Sequence, residues 1–155
     1  MKTTIIILHD IRSAQNVGSM FRTADACGVS KIYLTGYTPA PLDRFNREVK
    51  EITKTALGAE RVVSWEKTSL ANCLKKLKSE DFYIIAVEQD KCAVDYKTVK
   101  LKNKSALLFG NEVDGLSASD LKECDIVAEI PMHGKKESLN VSVALGVVLY
   151  RMLNL

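Results

Sequence analysis

"ALLFGNEVDG", residues 106–115, sets an uninterrupted apolar run against a polar loop with glycine at both ends. A strand without polar alternation is one buried on both faces, as in a parallel sheet covered by helices. Glycine at its end lets a ligand approach the backbone closely. Outward from this stretch the same pattern recurs. "TTIIIL" (3–8), "KIYLTG" (31–36), "ERVVSW" (60–65), "FYIIAV" (82–87) and "DIVAEI" (125–130) read as further strands. Between them, helical spacing predicts helices over 16–27, closed by Gly28, and over 48–58, closed by Gly58. Three more are predicted over 69–79, with Leu70, Leu74 and Leu77 inward, over 117–123, and over 138–155. Alternating strands and helices give an α/β domain with a mostly parallel sheet. No repeat, linker or low-complexity tract divides the chain, so 1–155 reads as one domain.

Composition narrows the function. The net charge of +3 permits a nucleic-acid partner without requiring one. Cys27, Cys73, Cys92 and Cys124 form no CxxC pair, and only His9 and His133 are available as imidazole ligands, so no metal site is expected. The cysteines read as reduced and mostly buried. The apolar run Ile5–Leu8 stops at His9, too short for a signal peptide or a membrane span, which predicts a cytoplasmic protein. No GxGxxG follows the first strand, and a P-loop would need glycine where Glu129 stands.

In an open α/β sheet, ligands bind beyond the carboxyl ends of strands. Three polar loops occupy such ends: "EQD" (88–90), "GNEVDG" (110–115) and "PMHGKKE" (131–137). "GNEVDG" reads equally as a tight polar turn or a ligand loop. Ser138 is a good helix N-cap type, which alone accounts for it. Asn140 falls in the first turn of a helix apolar on most of its circumference, where a buried amide needs partners. That helix predicts burial on more than one side, with a subunit interface supplying the second.

"NVGSMFRTADACG" (16–28) raises a separate question. Val17, Met20, Phe21, Ala24 and Gly28 form the inward stripe, while Arg22 lies off it and Gly18 leaves the backbone bare one turn earlier. Arg22 reads either as a solvated arginine paired with Asp25 or as a side chain offered to a ligand. Lys97, Lys100, Lys102 and Lys104 read as a solvated edge, and the two histidines as structural or exposed.

Taken together, these stretches resemble the motifs of one family. "NVGSMFRTADACG" resembles the first motif, an N-x-G-x-x-x-R helix, of the SpoU (TrmH-type) RNA 2′-O-methyltransferases of the SPOUT superfamily. "LLFGNEVDGLS" (107–117) resembles the second and "IPMHGKKESLNVSVALGVVLY" (130–150) the third, in the same order, so the resemblance covers essentially the whole chain. Val113-Asp114 departs from the small or proline residues often found after the glutamate. The resemblance implies a SPOUT α/β fold with a C-terminal trefoil knot, a homodimer with an active site shared across the interface, and S-adenosylmethionine as methyl donor. It implies catalytic roles for Asn16, Arg22, Glu112, Ser138 and Asn140. The donor would be held by backbone groups around Val87, Gly110, Asn111, Ile130, Met132, Ser138 and Leu139. Arg12, Arg22, Arg44, Arg47, Lys50 and Lys54 are the expected RNA contacts.

The implied reaction methylates a ribose 2′-hydroxyl, with transfer RNA the first expected substrate and ribosomal RNA the second. No separate RNA-binding extension is expected at either end. Arg22 would act either as a transiently neutral base beside an RNA phosphate or as a charged clamp for developing oxyanion charge. Asn16 and Asn140 would orient it and the ribose. Glu112 would fix a loop or accept a hydrogen bond from Asn16, and Gly18 would let RNA approach. The alternatives are a SPOUT enzyme acting on an RNA base, a non-catalytic RNA-binding protein with this fold, or a small-molecule methyltransferase.

Overall fold

Every strand runs parallel to its neighbours, as unalternating apolar runs require. A computed structural model describes residues 2–155. Among the described residues the strands are β1 (Thr3–His9), β2 (Lys31–Thr35), β3 (Trp65–Thr68), β4 (Tyr83–Val87), β5 (Val94–Asp95), β6 (Lys104–Phe109) and β7 (Ile126–Glu129). The helices are α1 (Ala14–Ala26), α2 (Lys50–Ala56), α3 (Ala59–Val62), α4 (Leu70–Ser79), α5 (Ala118–Lys122) and α6 (Val141–Leu153). The sheet order is β3-β2-β1-β6-β4-β7-β5.

Successive strand residues face opposite sides, and each side has its own core. Ile6, Leu8, Ile32, Leu34, Ile85, Leu107 and Phe109 pack against residues of α1, α2 and α6. Ile5, Ile7, Tyr33, Ile84, Ala86, Ala106 and Leu108 pack against Leu70, Cys73, Leu74 and Leu77 of α4 and against Leu116. The sheet is therefore covered on both faces. Cys73 is buried, Cys27 and Cys124 are half-buried, and Cys92 is exposed. Burial pushes the Cys73 and Cys124 thiols up to about 12, so neither is a ready nucleophile. No helix among the described residues is long and apolar enough to cross a membrane.

Four expectations need correction. The third strand does not span 60–65. Gly58 (φ +96°) lets the chain turn into α3, whose helical spacing buries Ala59 and Val63 and leaves Val62 outward. The strand itself follows at Trp65–Thr68, an edge strand whose polar residues hide it from a search for apolar runs. The last helix starts at Val141, not Ser138. Asn140 is its N-cap, exposed rather than buried, and accepts from the Ser142 and Val143 N–H groups at 2.9 and 3.4 Å.

Gly18 is buried, not bare. A Cβ there would meet Thr55 Oγ1 and the Ile52 carbonyl oxygen well inside van der Waals contact. The notch it leaves is filled by α2, whose Thr55 hydroxyl donates to the Gln15 carbonyl at 3.0 Å. Gly18 thus seats a helix and leaves no room for RNA. Finally, Arg22 is exposed and makes no ion pair among the described residues, so the expected pair with Asp25 is not formed.

Candidate active site

The carboxyl ends of the adjacent strands β6, β4 and β7 open into one cavity of about 270 Å³. Val87, Gly110, Asn111, Ile130, Met132, Ser138 and Leu139 all line it, and Glu88, Gln89, Glu112 and Glu137 add polar walls. Val141 and Ala144 close it from α6.

Backbone geometry shapes the floor. At Gly110 a Cβ would lie 2.7 Å from Leu116 Cγ and 2.9 Å from the Gly115 carbonyl carbon, so a side chain would close the turn. Asn111 is buried, and its amide is fully engaged. Its Nδ2 donates to the Asp10 carbonyl at 3.0 Å and to the Tyr37 hydroxyl, while its Oδ1 accepts from the Val113 and Asp114 N–H groups at 2.7 and 2.8 Å. Asn111 therefore shapes the loop, which suits contacts to a ligand through backbone.

Glu88 was not singled out by sequence reasoning, although its loop was. Its carboxylate accepts from the Leu116 N–H at 2.9 Å and the Gln89 N–H at 2.9 Å, tying the loop after β4 to the loop after β6. The Gln89 amide donates to the Ile130 carbonyl at 2.8 Å, tying in the loop after β7. A strand-end carboxylate beside two other polar loops was the available signal.

The three motif regions meet in one hydrogen-bond chain. Asn140 Nδ2 donates to Asn16 Oδ1 at 3.3 Å, and Asn16 Nδ2 donates to Glu112 Oε1 at 3.1 Å. Glu112 also accepts from the Arg12 N–H at 3.1 Å and the Ser13 N–H at 3.4 Å, immediately before α1. Ser13 in turn caps α1 by accepting from the Asn16 N–H at 3.1 Å. Residues from three distant segments thereby fix the first turn of α1 against the cavity rim. Arg22 lies six residues beyond Asn16, about 9 Å along the helix axis. Arg12, Arg44, Arg47, Lys50 and Lys54 are exposed, with Arg47 paired to Asp43 at 3.0 Å.

Burial opposes the Glu112 charge, but the donors from Arg12, its own backbone, Asn16 and Ser13 outweigh it and hold the carboxyl below its ordinary value of 4.5. A lowered native pKa adds stability above the unfolded-state pKa, and that stability is lost as pH falls through the native value. Glu112→Gln is accordingly expected to flatten the loss of stability below pH 4.5, read from urea midpoints across an acid series. A variant with the same acid profile as wild type would show that these donors do not stabilise the carboxylate.

Comparison with known proteins follows the same segments. Residues 3–150 match the SpoU rRNA Methylase family. The chain is 34% identical over 147 residues to the 23S rRNA (guanosine-2′-O-)-methyltransferase RlmB of Xylella fastidiosa, covering 94% of this chain and 56% of that one. It thus spans little more than half the length of that curated relative. The AdoMet-bound rRNA methyltransferase of Sinorhizobium meliloti superposes with a TM-score of 0.90 at 27% identity, covering 98% of this chain and 56% of that one. A structure bearing on the 2-OH methylation of C/U34 on tRNA superposes with a TM-score of 0.83 at 25% identity, covering 99% and 97%. The sheet, the three motif segments and this match across nearly the whole chain lead to one assignment: the chain belongs to the SpoU rRNA Methylase family.

Proposed function

We propose that the chain methylates a ribose 2′-hydroxyl of RNA with S-adenosylmethionine as donor, with transfer RNA the first substrate to test and ribosomal RNA the second. The observation that carries this reading is the Asn140–Asn16–Glu112 chain at the rim of the strand-end cavity, whose Asn16 lies on the same helix as Arg22, exposed and without an ion pair among the described residues. Relatives acting on ribosomal RNA and a structural neighbour concerned with transfer RNA support both substrates.

The lining fits the donor. Val87, Ile130, Met132 and Leu139 offer an apolar slot for a purine, and the carboxylates at the rim suit the sulfonium and ammonium cations. Bound there, S-adenosylmethionine supplies an electrophilic methyl group. The protein's part is positioning and charge. Guanidinium groups stay charged at neutral pH, so Arg22 clamps a phosphate and stabilises the alkoxide as the hydroxyl loses its proton to solvent. Asn16 is held by Glu112 on one side and Asn140 on the other, which aims its amide at the ribose. Ser138 is part of the same lining.

The assembly we propose is a homodimer with the active site shared across the interface, working in the cytoplasm. Val143, Val147 and Tyr150 support it: 36 to 50% exposed, they follow helical spacing along one side of α6. We further propose that the segments after β6 and β7 are threaded as the family's trefoil knot. The test is incubation with radiolabelled S-adenosylmethionine and, separately, unmodified transfer and ribosomal RNA. Label in either pool is expected, and donor binding without label in any RNA counts against this function.

A further inference from the structure

The loop between β2 and α2, residues 36–49, is long, yet it is tightly stitched. The Asp43 carboxylate accepts from the Phe45 N–H at 2.8 Å, the Arg47 N–H at 3.0 Å and Arg47 Nε at 3.0 Å. The Asp43 N–H donates to the Arg47 carbonyl at 2.9 Å, and Leu42 bridges Glu48 in antiparallel fashion. Asn46 closes the turn in the left-handed region, φ +58°.

At the apex stands Phe45, 62% exposed. The Arg44 and Arg47 guanidiniums lie 4.8 and 4.9 Å from its ring centroid. Asp43 fixes the backbone so that an aromatic ring and two cations face solvent together. The loop leaves the sheet at the same carboxyl end of the strands as the cavity, and its Tyr37 hydroxyl bonds Asn111 of the loop after β6.

An aromatic ring flanked by guanidiniums recognises a planar, electron-rich ring attached to phosphate, which is the chemistry of an unpaired nucleotide. Resting on the RNA reading above, we propose that Phe45 and Arg44 form a preorganised platform that stacks an unpaired base flanking the target nucleotide. Stacking gives sequence-tolerant affinity, while Arg44 contributes through phosphate charge.

The test uses the full chain and a short single-stranded RNA labelled with fluorescein and carrying 2-aminopurine, whose emission is quenched on stacking. Phe45→Ala is expected to weaken binding roughly 5- to 100-fold and to abolish the quench, with Phe45→Trp restoring both. The salt slope of binding should be unchanged in Phe45→Ala but shallower by about 0.7 in Arg44→Ala. Unchanged thermal unfolding guards against a folding defect, since Phe45 is exposed. Wild-type affinity and quench in Phe45→Ala overturn the platform alone. A wild-type protein that binds S-adenosylmethionine but no RNA overturns the platform and the proposed function together.

Discussion

Arg22→Ala is expected to lower methyl transfer by at least about 10²–10³-fold while S-adenosylmethionine binds within about twofold of wild type. The separation follows from placement. Arg22 is exposed, makes no ion pair among the described residues, and does not line the strand-end cavity. The inward side of α1, formed by Val17, Met20, Phe21 and Ala24, is untouched by the change. On the proposed function, what is removed is a cation that grips an RNA phosphate and stabilises developing alkoxide charge, neither of which touches the donor, so the loss is expected on the rate at saturating RNA and not on donor affinity. Arg22→Lys keeps the charge but not the two-pronged donor geometry and should recover only part of the rate. Single-turnover rates and calorimetric donor binding separate the two quantities. An equal fall in both would make Arg22 a structural residue.

Gly18→Ala should destabilise the fold by about 1–3 kcal/mol, the usual cost of overpacking a tight contact, and Gly18→Val by more. The neighbours are the reason. Thr55 can rotate, but the Ile52 carbonyl belongs to α2 and moves only if the helix moves. For a chain of 155 residues this corresponds to a fall in Tm of roughly 2–12 °C. Thermal unfolding without ligand measures it directly. Unchanged Tm with weakened RNA binding would return Gly18 to the surface role that its sequence position suggested.

The strands that sit deepest were the most legible. β1, β4 and β6 carry unbroken apolar runs because helices cover both faces of the sheet. β3 escapes a search for apolar runs because an edge strand needs little apolar content, and because Val62 and Val63 look like strand residues while the turn of α3 sends one outward and the other into the core. The lining residues were legible through strand ends and motif order, and they do meet in one cavity. Glu88 was not, since its partner Leu116 lies 28 residues away and the hydrogen bond uses a backbone N–H that any residue supplies. Gly18 misled for a related reason: a bare backbone looks the same in sequence whether a ligand or a helix fills it. The exposed Phe45 is not legible in the sequence, because a single phenylalanine in a polar loop carries no periodic signal and only the Asp43 hydrogen bonds reveal how the loop is held.

On the proposed function the methyl group goes to a ribose oxygen and not to a base. The most direct measurement is complete nuclease digestion of the labelled RNA, followed by chromatographic identification of the labelled nucleoside. Label confined to a 2′-O-methylnucleoside is the predicted result. Label on a methylated base, with the ribose unmodified, would make the chain a base methyltransferase instead.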